Sequence, residues 1–365
     1  MTGVLVTGAT TPVGRALVDE LLADPDVAHV LAVGVEPAPS GIPLDGGRVS
    51  YVRADLTRSR DLRWLLFGPA RELGVTAVVH AALHRAARDR DRRDRRIHAL
   101  NVESTAEMLH LAERHPTIRR FVYRSTVDVY RIASDAAHVL DEEHPLDLSP
   151  GAPQWVRDRV EADLTVCTRM GLSPLRIAVL RGAEILAPDS GSQLWDYLRS
   201  RVCFRPLGYD PMINLLSIED AARALALAVR AGAQGIFNVP GRDTLPLSEI
   251  IEKAGRVGVA VPGPLLSPLY GLRALLMGMQ FRYDMNAARF HWNGVLDGTR
   301  ARDALGYEPR SPIDWFRLAE RAIRRGPGAP SPPRPGRSAR AAPRRRGARS
   351  PRAGARARGP SPRCR

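Results

Sequence analysis

Through the first half of the chain, short apolar and β-branched runs alternate with longer stretches whose apolar positions recur every three or four residues. The short runs at 4–6, 30–33, 50–53, 77–80, 120–124 and 176–180 predict buried strands. The stretches beginning near Val13, Leu62, Ile97 and Gln154 predict amphipathic helices. Six strands joined by helical crossovers make a doubly wound parallel sheet, because a strand–helix–strand connection is right-handed and lays its helix on the sheet. Beyond Arg181 the alternation stops being regular. A helix is predicted over 217–229, with Ser217 as N-cap and Glu219 and Asp220 in its first turn. A strand over 235–239 ends at Pro240-Gly241, and helices follow over 247–255 and 312–324. The expected class is α/β, with a smaller C-terminal lobe over the carboxyl ends of the strands.

Composition adjusts this outline in three places. With 365 residues and 44% apolar content the chain can bury a large core. No apolar run reaches the roughly 18–20 residues needed to cross a bilayer, since even 264–281 is broken by Pro268, Gly271 and Arg273. That stretch reads as a core or partner face in preference to an interfacial membrane helix. No basic leader precedes the apolar run at 4–6, so the expected compartment is the cytoplasm. Cys167, Cys203 and Cys364 are too few and too far apart for a disulfide framework or a zinc site, so no metal is expected. The net charge is +15, but 326–365 holds 12 arginines and no acid, and subtracting them leaves +3 for the rest. That tail has no aromatic residue and no apolar periodicity, which predicts disorder. A nucleic-acid partner would rest on its charge alone and is not expected. The mixed charges over 84–96 predict a solvated helix or loop.

The chemistry begins at residues 7–14, Thr-Gly-Ala-Thr-Thr-Pro-Val-Gly, between the first strand and the first helix. Gly8 permits a tight turn, Gly14 lets helix and strand approach, and Pro12 suits a first helical turn whose N–H would be orphaned anyway. The free N–H groups and the positive helix end suit a pyrophosphate. From this loop onward the sequence resembles the extended short-chain dehydrogenases/reductases, the NAD-dependent epimerase/dehydratase family, whose fingerprint reads TGxxGxxG. The likeness continues through Ala54-Asp55-Leu56, through Val78-Val79-His80-Ala81-Ala82, and through Asn101-Val102 with Ser104-Thr105. Further on it takes in 125–130 (STVDVY), 216–224, 235–241 and 297–309, so that it covers about 1–325 in serial order. The resemblance implies a Rossmann-type dinucleotide-binding domain over 1–182, completed by about 216–240, and a substrate lobe from 183–215 and 241–325. It also implies NAD as cofactor, with NADP not excluded, and a nucleotide-diphosphate sugar or related small molecule as ligand. A homodimer is a candidate assembly. The implied cofactor contacts are Gly8, Thr10, Thr11, Pro12, Val13, Gly14, Asp55, Leu56, His80, Ala81, Ala82 and Asn101.

Three departures from the family pattern stand out. Thr11 replaces the middle glycine, and its Cβ would crowd the pyrophosphate. Gly34 replaces the acid that ends the second strand and holds the ribose, leaving Glu36 as stand-in. The family's YxxxK pair falls on Trp155 and Arg159. No tyrosine lies between Tyr130 and Tyr197, and the only lysine is Lys253, so no shift of alignment restores the pair. Indole is no usable acid, and guanidinium stays protonated near neutral pH. Thr126 keeps the hydroxyl that, by resemblance, binds the substrate oxygen. Two readings follow: an enzyme that has recruited another acid/base among Asp158, Glu161, Glu142 and Glu143, or a non-catalytic nucleotide-binding sensor or scaffold. Ser190-Gly191-Ser192 lacks the glycines of a nucleophile elbow and reads as a substrate-contact loop.

Overall fold

Each predicted strand of the first half forms, and one more joins them. The computed structural model describes residues 2–315 except 40, 45, 84–91, 188–189, 278–280 and 293. The expected tail over 326–365, most of the helix over 312–324, the start of the charged run at 84–96, and Cys364 lie outside the described residues. Residues 92–98 of that run are helical.

The central strands are β1 (Thr2–Thr7), β2 (Val27–Gly34), β3 (Val49–Arg53), β4 (Val75–His80), β5 (Arg120–Thr126), β6 (Arg176–Gly182) and β7 (Gly235–Val239). All pair in parallel, in the order β7-β6-β5-β4-β1-β2-β3. The sheet therefore has seven strands, the six of the first half and 235–239, which joins beside β6 after a connection of some fifty residues. Strand order reverses between β1 and β4, which opens a crevice at their carboxyl ends, the usual ligand position in such sheets.

Alternating side chains feed two cores. Val4, Val6, Val30, Ala32 and Val122 face the helices Pro12–Ala23 and Ile218–Ala231, through Leu17, Val18, Leu21, Ala222, Leu225 and Val229. Leu5, Leu31, Val78, Phe121, Ile177 and Val179 face the other way, onto Leu62, Leu65, Met108, Leu109, Ala162 and Val166. A third cluster gathers Leu194, Tyr197, Leu247, Ile250, Tyr270, Phe281 and Phe290 from the later segments. The helix Gly263–Met277 buries Leu266 and Tyr270 there while exposing Leu265, Leu272, Leu275 and Leu276. Among the described residues no helix is long and apolar enough to cross a membrane. Burial pushes the thiols of Cys167 and Cys203 up to about 12, so both stay neutral.

The predicted cap at Ser217 is present, its side chain accepting from Asp220 N. Asp220 is fully buried. Its carboxylate accepts the backbone N–H groups of Arg310 and Ser311 and pairs with Arg223, fixing segment 307–313 to this helix. Arg223 also donates to Glu308 O at 2.8 Å.

Candidate functional site

At the end of β1 the chain turns through Gly8 with φ +66°, a left-handed conformation that favours glycine. A Cβ there would lie 2.9 Å from Ala82 Cα, and one on Gly14 would lie 2.1 Å from Gly8 O. The glycine loop thus has no room for larger residues at either position. Thr11 turns its hydroxyl inward as N-cap: Oγ1 accepts Gly14 N at 3.1 Å and donates to Gly8 O at 2.8 Å. Pro12 opens the helix, and Val13 is buried in the core. A capping hydroxyl at 11 is a role the crowding argument overlooked.

Glu36 lies two residues past Gly34, and its carboxylate approaches the end of β2. A Cβ on Gly34 would lie 2.8 Å from Thr10 Cγ2 and 2.7 Å from the Tyr51 hydroxyl, so a side chain at 34 would have to displace Thr10, Tyr51 or Glu36. The Glu36 carboxylate folds back instead, accepting Thr10 Oγ1 at 2.7 Å and Val35 N at 3.1 Å. Burial and the nearby Glu36 charge push the Tyr51 phenol up to about 12, and its hydroxyl donates to Glu36 O at 2.8 Å.

The remaining residues that the resemblance assigns to the cofactor lie at or near the ends of β3 and β4 and in the helical segment that follows. Burial pushes the Asp55 carboxyl up, but hydrogen bonds from Thr57 and the Arg96 and Arg58 cations outweigh it, so its pKa is lowered. Leu56 and Ala81 are buried and Ala82 half-buried. His80 is fully buried, Nδ1 2.9 Å from Thr7 Oγ1 and Nε2 3.0 Å from Thr105 Oγ1. Desolvation drops its pKa to about 4, which keeps the ring neutral. Both nitrogens are therefore engaged, and the imidazole serves to lock β4 to its neighbours. Thr7 Oγ1 also accepts the N–H groups of Ala81 and Ala82, shaping the strand end below Gly8. Asn101 is buried, and its carbonyl accepts Thr105 Oγ1 at 2.7 Å.

A cleft of about 520 Å³ opens beside this crevice, lined in part by Thr126, Asp128, Arg159, Glu184 and Ser192. A second, of about 550 Å³, adjoins it through Val127, Ala183 and Glu184, and includes Arg289. Asp128 lies between two guanidinium groups, ion-paired to Arg159 and to Arg289. Thr126 Oγ1 donates to Asp128 Oδ2 at 3.1 Å and accepts Arg159 Nη1 at 3.4 Å. Arg289 also lies 3.7 Å from Glu184, whose carboxylate accepts the Ser192 hydroxyl. Trp155 is buried behind this group, its ring centroid 4.8 Å from the Arg159 guanidinium carbon and 5.8 Å from that of Arg289. Among the described residues its Nε1 has no hydrogen-bond partner.

Thr126, Trp155 and Arg159 are thus brought together as expected, whereas the four candidate acids line neither cleft. Asp158 is buried and accepts His98 Nδ1 at 2.9 Å and Gln154 Nε2 at 2.7 Å. The hydrogen bond to Asp158 raises the His98 pKa, against a smaller burial effect. Glu161 is exposed on the outer side of the same helix. Glu142 accepts Asn238 N at 2.7 Å, and Glu143 pairs with Arg300 at the surface. The helix at 154–167 turns residues 155 and 159, four apart, to one side, which leaves 158 and 161 facing elsewhere. The carboxylates at the cleft are Asp128 and Glu184, and the serines of 190–192 line it as expected of a contact loop.

Beneath the site runs a buried polar network. Asp163, fully buried, accepts Arg181 Nη2 at 2.6 Å, Arg181 Nε at 3.1 Å and Ser125 Oγ at 2.5 Å. Burial disfavours the Arg181 cation, yet the Asp163 contacts prevail and its pKa is raised. Arg181 Nη1 also donates to the Tyr130 hydroxyl, which donates to Asn238 Oδ1 at 2.6 Å. The network ties β5, β6, β7 and the helix Gln154–Cys167 together directly under Thr126.

A glycine turn at the end of β1, a hydroxyl at 126 and a helix carrying 155 and 159 beside it define a class. Residues 4–154 match the model of the NAD dependent epimerase/dehydratase family, to which the chain belongs. It is 30% identical over 313 residues to "Uncharacterized protein Rv0501" of Mycobacterium tuberculosis (strain ATCC 25618 / H37Rv), covering 84% of this chain and 80% of that one. The same figures hold for "Uncharacterized protein Mb0513" of Mycobacterium bovis. Among solved structures it is similar to DesIV, a dTDP-glucose 4,6-dehydratase from Streptomyces venezuelae with NAD and TYD bound. That match has TM-score 0.65 and 21% identity over 88% of this chain and 97% of the other. The UDP-glucuronic acid 4-epimerase from Bacillus cereus, in complex with NAD, matches at TM-score 0.63 and 16% identity, over 87% and 94%. At these identities the likeness establishes the fold.

Proposed function

We propose that the protein binds NAD along the crevice and a nucleotide-diphosphate sugar or related small molecule in the adjoining cleft, without the family's ordinary proton transfer. The residues fit the cofactor: Gly8 and Gly14 allow a turn too tight for a side chain at either position, and the Glu36 carboxylate beside Thr10 offers an acceptor for ribose hydroxyls. NAD supplies a hydride acceptor when bound. Residues 10–14 would hold its pyrophosphate, and Glu36 favours a free 2′-hydroxyl over a 2′-phosphate through charge. NADP would meet repulsion there.

The observation that carries the loss of ordinary catalysis is the group around Asp128. The side chain at 155 is an indole with no titratable proton near neutral pH. The cation at 159 is committed to Asp128, and Thr126 points its hydroxyl at the same carboxylate. Hydride movement at a sugar carbon needs a matched proton transfer at oxygen, worth roughly 10²- to 10⁴-fold. No side chain at 126, 155 or 159 supplies it. Calorimetry with NAD, paired with turnover assays on UDP-glucose and dTDP-glucose, tests this. The expected result is NAD binding, weakened about tenfold or more by Glu36→Gln, with no epimerase or dehydratase product. Failure to bind NAD overturns the reading.

One observation favours a second reading, in which a recruited acid restores turnover: Glu184 lines both clefts and accepts the Ser192 hydroxyl. Product formation by the unmodified protein that Glu184→Gln abolishes, with NAD affinity retained, would establish that reading instead.

A further inference from the structure

Within the cleft, Arg124 differs from the other arginines near it. It lies on β5 opposite Leu180 of β6, one residue before Ser125, and its side chain lines the cleft while only 8% exposed. Arg159, Arg181 and Arg289 each meet a carboxylate: Asp128, Asp163, and Asp128 with Glu184. Among the described residues no hydrogen bond or ion pair reaches the Arg124 guanidinium. Desolvation accordingly pulls its pKa down to about 10, which leaves it charged at neutral pH. An uncompensated buried cation is costly, and such groups are found paired. The apolar part of the same cleft lining includes Leu180, Leu216, Ala221, Leu225 and Val239.

Charge decides what fits. Among the described residues, the charged groups lining the two adjoining clefts are Arg124, Arg159 and Arg289 against Asp128 and Glu184, which leaves one positive charge. Arg159 and Arg289 each already face a carboxylate, although Arg289 Nη2 lacks a hydrogen-bond partner among the described residues, so the surplus charge falls to Arg124. A dianionic phosphate would bring more charge than one guanidinium balances, whereas a carboxylate matches it in both charge and planar fork geometry.

We propose that the ligand of this cleft carries a single carboxylate that pairs with Arg124, its apolar body lying against Leu180, Leu216 and Leu225. This rests on the reading of the cleft as the substrate site and narrows its ligand to the related small molecule, a carboxylic acid, in place of a diphosphate sugar whose two charges exceed the one surplus guanidinium; the pairing is testable separately. The partner is a small carboxylic acid or a conjugate bearing one carboxylate. The guanidinium would hold it and take no part in moving protons.

The test uses the full chain and three probes: cyclohexanecarboxylate, its neutral amide, and inorganic phosphate, each followed by thermal shift and calorimetry at fixed ionic strength. The carboxylate is expected to bind about tenfold or more tighter than the amide and to raise the melting temperature with concentration. In Arg124→Met, which replaces an unpaired cation by an apolar chain of similar length, the preference is lost while the melting temperature holds or rises. Arg124→Lys is expected to retain a reduced preference, and NAD affinity in both variants to stay within about twofold of the parent. Equal binding of carboxylate and amide, an undiminished preference in Arg124→Met, or a response to phosphate alone would each overturn the proposal. Absence of NAD binding with the carboxylate preference intact would instead overturn the proposed function and leave this site standing.

Discussion

Replacing Arg181 by Met is the sharpest test of how this site is held. The substitution leaves Asp163 fully buried with Ser125 Oγ and Cys167 Sγ as its remaining donors, after loss of the bonds from Nε and Nη2. Removing one partner of a buried, hydrogen-bonded pair costs about 3–5 kcal/mol, since the other is left charged and unpaired. At roughly 2–4 °C per kcal/mol the melting temperature should fall by about 6–15 °C. Denaturant unfolding at neutral pH measures the cost, and Asp163→Leu combined with Arg181→Met should recover most of the loss. A cost below about 1 kcal/mol would show that the network does not rest on this pair.

Other outcomes follow from single contacts. His80, held neutral with its pKa near 4, makes stability fall as pH drops from about 6.5 toward 4, by about 3 kcal/mol over the window, and His80→Gln should remove that slope from pH-resolved denaturant midpoints. Gly14→Ala puts a Cβ 2.1 Å from Gly8 O and should prevent folding or lower the melting temperature by at least about 6 °C, whereas Gly46→Ala, with nothing within 4 Å of its Cβ, should leave it unchanged. Ser217→Ala removes the cap on Asp220 N and should cost about 1 kcal/mol by chemical denaturation.

The sheet was legible because its first six strands are short apolar runs separated by periodic helices, and local pattern suffices where connections are short. The seventh strand is readable as a strand at 235–239, but nothing in its own residues names the edge it joins, and the long connection from β6 carries no periodicity to decide it. The glycine loop announces itself through Gly8 and Gly14, whereas the capping role of Thr11 needed the helix start in hand. The resemblance to the family implied that Thr126, Trp155 and Arg159 lie together. It could not reach Arg289, which meets Asp128 from 161 positions away out of a five-residue helix that carries no motif. Arg124 was visible in principle: a cation inside the run RFVYR, at a position where strand alternation points inward, is a signal of a buried charge.

The contacts at Asp220 divide mutational tolerance unevenly between two parts of the chain. Arg310 and Ser311 are gripped through their main-chain N–H groups, so the grip cannot distinguish one side chain from another. Substitution at 310 or 311 should pass almost unnoticed, proline excepted, because proline alone lacks the donor. Asp220 has no such latitude, being fully buried and the single acceptor for both. Shortening the chain so that it ends before 310 would strip that carboxylate of its two neutral donors and leave Arg223 to balance it alone. The stability of the helix beside the cleft therefore depends on residues 90 positions away whose identity scarcely matters, provided that the backbone is there.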